Sequence, residues 1–312
     1  MSSGQDGTIN RRSFLQRSGV ALSAPAAAAA LAACKTAQQK EVQPLQATPT
    51  TPPAPETYET HAKGIRILPG AWRPHYPWEH IAWISSAWPS QDYLWLDFPE
   101  AIFTSQGLIF LSHVNPPIPT VYSELPAVSW EKTKNGIGYN RKLPSGIEFG
   151  GEITCTQPDT ADLTLFIDNG SRESLNNITL QTCAFLRANK EFADYTRDNK
   201  YVHVRGSGWL SYTEAAALPE NEGPYRLGWR DRGRLLCDVP GMITMSSAGE
   251  RGVAMTWLED TLSMVSNANH PCMHADPKFH DLAPGEQQTI RGRIIFFEGP
   301  PQDFNVHTLL SP

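Results

Sequence analysis

The stretch Ala161-Asp162-Leu163-Thr164-Leu165-Phe166-Ile167-Asp168 alternates apolar and polar residues with a period near two. Side chains of a strand point to opposite faces in turn, so this pattern predicts a strand with one buried face. A polar turn follows at Asn169-Gly170-Ser171, and the β pattern resumes over 178–186, which predicts an antiparallel neighbour. Gly107-Leu108-Ile109-Phe110-Leu111 is a short apolar run of strand length. Met242-Ile243-Thr244-Met245 and Val253-Ala254-Met255-Thr256-Trp257 flank a glycine-bearing linker, the signature of a hairpin. Near the C-terminus, Pro284-Gly285-Glu286 precedes a long strand pattern over 288–298 that is expected to close the sheet. Helical patterns are confined to 191–197 and 212–218, about two turns each.

Many short strands punctuated by Gly and Pro, with little helix, predict an all-β fold, a large antiparallel β-sandwich or a barrel. No repeat of about 20 to 50 residues is visible, which argues against a propeller or solenoid. The succession of alternating strand, Asn-Gly turn, apolar strand and terminal Pro-Gly-Glu strand over 130–299 resembles the galactose-mutarotase-like supersandwich. The resemblance implies a sandwich domain that handles carbohydrate. It transfers no catalytic residue, because it rests on strand rhythm alone.

The N-terminus has a different character. Asn10-Arg11-Arg12-Ser13-Phe14-Leu15-Gln16 resembles a twin-arginine export signal, and an uncharged, alanine-rich run follows over 18–33. That run is too short and too weakly apolar for a permanent span, which needs about 20 apolar residues. Leu31-Ala32-Ala33-Cys34 resembles a lipobox, with Cys34 as the lipidated residue and new N-terminus. Residues 35–60 are rich in Pro, Thr and Gln and have little to bury, so they read as a tether. Three regions are thus expected: a signal peptide over 1–33, a lipidated tether over 34–63 and one domain over 64–312. The expected location is the exported face of a membrane, and Lys35 in place of Asp leans towards an outer membrane.

Charge narrows the partners. The chain carries −6, and removing 1–33 takes away Arg11, Arg12, Arg17 and Asp6, leaving −8. No cluster of Lys and Arg stands out beyond 226–234, which holds its own Asp231, so a nucleic-acid partner is not expected. Cys155, Cys183, Cys237 and Cys272 remain in the domain. Two disulfides are permitted by count, but the twin-arginine route typically carries a domain folded in a reducing cytoplasm, so the fold is not expected to need them.

Two constellations hold candidate chemistry. Asn269-His270-Pro271-Cys272-Met273-His274-Ala275-Asp276-Pro277, with His280 beyond, concentrates metal-ligand types. If the segment is extended, His270 and His274 stand about 13 Å apart, too far to share one ion, whereas adjacent pairs, His270 with Cys272 or Cys272 with His274, could share one. Pro271 and Pro277 predict a turn that gathers several of His270, Cys272, His274, Asp276 and His280, a donor set suited to zinc or another transition ion. The alternative is a buried Cys272 with histidines bonded to backbone.

The second runs from Trp72 to His80 and continues through Trp83, Trp88, Tyr93 and Trp95; five of nine tryptophans fall between 72 and 95, enough for a sugar-stacking platform. Trp72, Arg73 and Trp78, set among prolines and charges, are the expected substrate-binding residues, whereas Trp83 and Trp95 are expected in the core. Glu79, His75, His80 and His113 are candidate proton-transfer residues. Asp92, Asp97, Glu100, Glu124, Glu148 and Glu152 are further acids that no spacing rule pairs. No nucleophile elbow, phosphate loop, dinucleotide fingerprint or Cys-x-x-Cys pair is present. The sequence therefore points to a tethered β-sandwich that binds and modifies carbohydrate, or to a non-catalytic glycan-binding or envelope lipoprotein of the same fold.

Overall fold

The alternation seen in the sequence becomes two antiparallel sheets packed face to face. The computed structural model describes residues 64–70, 79–112, 128–194, 196, 198–218, 226–228, 237–259, 261–267 and 270–311. The strands are β1 (Ile67–Gly70), β2 (Ile81–Ser85), β3 (Tyr93–Thr104), β4 (Gly107–Leu111), β5 (Glu131–Lys132), β6 (Gly136–Lys142), β7 (Ile147–Gln157), β8 (Thr160–Asn169) and β9 (Thr179–Phe185). They continue as β10 (Lys200–Val204), β11 (Gly208–Ser211), β12 (Arg226–Gly228), β13 (Cys237–Met245), β14 (Arg251–Trp257), β15 (Thr261–Asn267), β16 (His270–Pro277) and β17 (Gln287–Glu298). The eight-stranded sheet runs β1-β2-β3-β9-β16-β15-β12, with β4 also on β3; the nine-stranded sheet runs β11-β10-β13-β14-β17-β8-β7-β6-β5.

The main core lies between the sheets. Leu94, Leu96, Phe98 and Ile102 of β3 enter it from one side, and Leu163, Leu165 and Ile167 of β8 from the other. A smaller core covers the far face of the nine-stranded sheet, where Ile243 and Ile295 alternate with the core residues Met242 and Ile294 and pack with Phe304 and Leu309. The short C-terminal helix α2 (Val306–Leu310) supplies Leu309. Helix α1 (Tyr212–Ala216) starts where the Ser211 side chain accepts from the Glu214 backbone N–H and Glu214 reaches back, a capping box. Among the described residues no helix is long and apolar enough to cross a membrane.

Several expectations hold. Residues 107–111, 160–169 and 179–185 are strands, and β13 and β14 form the hairpin, with Met242 opposite Met255. Three need correction. The first is that β8 and β9 are not neighbours: β8 pairs with β7 and β17, while β9 pairs with β3 and β16 in the other sheet. Between them Asn169 Nδ2 donates to the carbonyls of Glu173 and Leu282, and Leu175 bridges Leu282, so the chain crosses from one sheet to the other. A period of two identifies a buried face but not the sheet to which that face belongs. The second is that β17 closes no edge; it sits between β14 and β8 in the middle of its sheet. The third is that, among the described residues of 191–197, the pattern yields a 3-10 turn, Lys190–Phe192, capped by Asn189, and no α-helix.

Candidate functional site

The outer face of the eight-stranded sheet, opposite the main core, brings the site residues together. On β16, Met273 and Ala275 belong to the core, so Cys272, His274 and Asp276 project to the outer face. The turn expected from Pro271 and Pro277 is absent. Pro277 pairs with Thr261, and the Pro271 carbonyl accepts from the Leu186 N–H, so both prolines sit within sheet pairing. The segment brings Cys272 and His274 together by strand alternation rather than by a turn, as one of the adjacent pairs expected to share an ion.

The neighbouring strand completes the cluster. On β9, Ala184 faces the core and Cys183 faces outward, in register with Asp97 of β3. The sulfurs of Cys183 and Cys272 and a ring nitrogen of His274 all lie within 4.8 Å of one another, and all three residues are buried. Cys183 was not among the candidates from sequence, because its proximity arises from pairing between distant strands.

Carboxylates surround the imidazole. His274 Nδ1 lies 3.5 Å from Asp276 Oδ1 and 3.7 Å from Glu100 Oε2. Asp276 Oδ2 accepts a 3.2 Å hydrogen bond from Ser263 Oγ on β15. The β3–β9 register shifts between Asp97 and Ala101, and this bulge brings Glu100 to His274. Asp97 Oδ2 accepts from Ser112 Oγ at 2.6 Å. Burial alone would hold His274 neutral, but contact with Asp276 and Cys272 outweighs it and lifts the imidazole pKa well above its ordinary value. A hydrogen bond to Cys272, reinforced by burial, raises the Cys183 thiol well above its usual range.

An aromatic row adjoins this cluster. Across the sheet, Trp83 pairs with Trp95, Trp95 with Phe185, and Phe185 with Cys272. Ring centroids are 6.1 Å apart for Trp83 and Trp95 and 6.1 Å for Trp95 and Phe185; Tyr93 lies 6.3 Å from Trp83. A Cβ at Gly70 would strike the Trp83 indole, so this glycine gives the ring its place. Trp83 and Trp95 are thus not core residues, as their apolar character suggested, but half-buried members of an outer face. At the Trp83 end a cleft of about 820 Å³ opens between the β1–β2 edge of this sheet and β5–β6 of the nine-stranded sheet, lined by Arg66, Trp83, Tyr93, Trp130, Lys132 and Lys134 among others.

The remaining candidates are dispersed. Trp72, Arg73, His75, Trp78, His113 and Cys34 lie outside the described residues. Glu79 lies two residues before β2 and is partly buried. His80 is fully buried on the core side, stacked on Tyr139, and burial followed by the charge of Arg141 pulls its pKa down to about 3. It is a neutral packing residue at ordinary pH. His270 opens β16, and the exposed His280 lies beyond it with its backbone N–H donating to Gln288 Oε1. The described cysteines, Cys155, Cys183, Cys237 and Cys272, form no disulfide.

Fold and site together define an antiparallel β-sandwich that sets a buried thiol, imidazole and carboxylate cluster beside an aromatic row on one outer sheet face. No family model matches the chain, and no curated protein matches it. Solved structures that resemble it include a galactose mutarotase related enzyme from Lactobacillus acidophilus, 11% identical, with 71% of this chain and 96% of that one covered and a TM-score of 0.42. The galactose 1-epimerase of Lactobacillus acidophilus NCFM is 7% identical, with 76% and 99% covered and a TM-score of 0.40. An aldose epimerase homologue from C. elegans is 10% identical, with 76% and 99% covered and a TM-score of 0.39.

Proposed function

We propose that this domain binds carbohydrate in a cleft beside the outer aromatic row of its eight-stranded sheet while tethered to a membrane through a lipid on Cys34. The observation behind the binding proposal is the cleft of about 820 Å³ walled by Trp83, Tyr93 and Trp130, at the end of a row that continues through Trp95 and Phe185. Its volume falls in the range of small-molecule sites, about 300 to 1,000 Å³. Indole and phenol rings stack on the C–H faces of a pyranose, while Arg66, Lys132 and Lys134 donate to its oxygens.

The test is titration of the protein with neutral, amino and uronic sugars and their oligomers, read by tryptophan fluorescence and saturation-transfer NMR. Binding that W83A abolishes supports the proposal. No contact from any of these sugars overturns it.

A second reading, that the bound sugar is also modified, is favoured by Glu100 and Asp276, two carboxylates within 3.7 Å of His274 that can accept and return a proton. Conversion of a bound sugar, followed by NMR and lost in H274A, distinguishes an enzyme from a binding module. The tether rests on the arginine pair, the alanine-rich run and the cysteine in their order along the chain. Metabolic labelling with a fatty acid tests it: label lost in C34A supports the anchor, and unlabelled protein of the original type overturns it.

A further inference from the structure

We propose that Cys183, Cys272 and His274 form a binding site for one transition-metal ion of the zinc class. The donor set comprises two thiol sulfurs and an imidazole nitrogen, a combination suited to zinc and other borderline or soft ions and poorly suited to magnesium or calcium. Zinc bonds of about 2.3 Å to sulfur and 2.0 to 2.1 Å to nitrogen place neighbouring ligands of a tetrahedron about 3.5 to 3.8 Å apart. The three donors already lie within 4.8 Å of one another, so a contraction of about 1 Å closes the site.

The strands supply the rigidity that such a site needs. Cys272 and His274 alternate onto one face of β16, and Cys183 projects to the same face from the hydrogen-bonded neighbour β9. These are interior strands of their sheet. Cys272 is fully buried, while Cys183 and His274 retain 7% and 9% exposure, which leaves a route from solvent.

Asp276 gives a second, independent indication. Its side chain is 5% exposed, and Oδ1 accepts no well-aligned hydrogen bond although it faces His274 Nδ1 at 3.5 Å. Metal-bound histidines usually donate their second ring N–H to such a carboxylate, which fixes the tautomer and the ring orientation. Asp276 is thus the positioning residue for His274. Binding of the divalent ion releases the two thiol protons, so the charge of the ion is balanced by two thiolates. Three protein ligands leave a fourth position for water or another small ligand.

The proposal stands apart from carbohydrate binding, because its readout involves no sugar. The reduced full-length protein, stripped with a chelator, is titrated with Co²⁺. One equivalent should give the sulfur-to-cobalt charge-transfer band and the strong visible bands of a tetrahedral ion, and Zn²⁺ should displace it. C183S is expected to lower Co²⁺ affinity more than about 100-fold, and D276N about 10- to 100-fold. H280A should leave the affinity unchanged. Far-UV circular dichroism checks the fold of each variant, and the titration of the unmodified protein decides the matter even if C183S does not fold. Absence of the charge-transfer band in folded unmodified protein, unchanged affinity in folded C183S, or a Cys183–Cys272 disulfide in natively prepared protein overturns the proposal.

Discussion

The imidazole of His80 lies flat on the ring of Tyr139, with centroids 3.6 Å apart and planes 9° apart. Trp130 stands edge-on to both. Burial, then the Arg141 charge, moves the His80 pKa from 6.5 to about 3. Above pH 6.5 the group is neutral in folded and unfolded chains and contributes no pH dependence. As pH falls below 6.5 the unfolded chain takes up a proton that the folded chain refuses, so stability drops until about pH 3. At 1.36 kcal/mol per pH unit, the loss by pH 4.5 is about 2 to 3 kcal/mol. H80F keeps a ring on Tyr139 and removes the titration. Denaturation midpoints at pH 7 and pH 4.5 should therefore diverge less in H80F than in the unmodified protein, and equal slopes would refute the assignment.

Beneath the metal-ligand cluster, the two sheets are tied by a polar chain. The Trp257 indole N–H donates to Thr182 Oγ1 at 3.3 Å, and Thr182 donates to the Ala275 carbonyl at 3.1 Å. Thr182 and Ala275 are the core-facing neighbours of Cys183 and His274. T182V keeps the shape but strands a buried indole N–H and a carbonyl, at a cost of about 1 to 3 kcal/mol. T182S should restore most of it. Urea unfolding of the two variants checks the difference, and a T182V protein as stable as the original would show that the chain contributes nothing.

A tryptophan of the core and one of the outer row should respond differently to truncation. Trp257 is fully buried and stacked on Phe98 with ring centroids 6.1 Å apart, whereas Trp95 is half-buried on the outer row. W257A should cost about 3 to 5 kcal/mol of stability. W95A should cost less, and should lower sugar affinity at least tenfold while the protein remains folded. Parallel unfolding and sugar titration separate these outcomes. If W95A destabilises as much as W257A, or binds sugar unchanged, the outer row is not a binding platform.

Strand identity was legible from periodicity, because each half-buried strand reveals its apolar face. Partnership was not. Cys272, His274 and Asp276 could be placed on one face of an extended segment, but Cys183 joins them only through the β9–β16 pairing, which no local pattern encodes. Pro271 and Pro277 suggested a turn because proline usually interrupts sheets; here Pro277 ends its strand and Pro271 contributes its carbonyl. Trp83 and Trp95 read as core because apolar character cannot tell an inner face from a covered outer one. A usable signal did exist in Leu94-Trp95-Leu96-Asp97-Phe98, where Asp97 interrupts an apolar run at an outward position.

Thiol reactivity gives a direct measure of how the four described cysteines are held. Cys183, Cys237 and Cys272 are buried, whereas Cys155 lies partly exposed at the cleft. Burial, then Asp162 and Asp159, raises the Cys155 thiol, and burial, then Asp238, pushes Cys237 up to about 12. Since the thiolate is the nucleophile, alkylation of Cys155 should be slow at neutral pH and accelerate as pH rises. Iodoacetamide should therefore modify Cys155 first in the folded domain and reach the other three only on unfolding, as peptide mass spectrometry can follow. Early labelling of the fully buried Cys272 would place its strand in an opened sheet, and an interior pairing of β9 with β16 could not then stand.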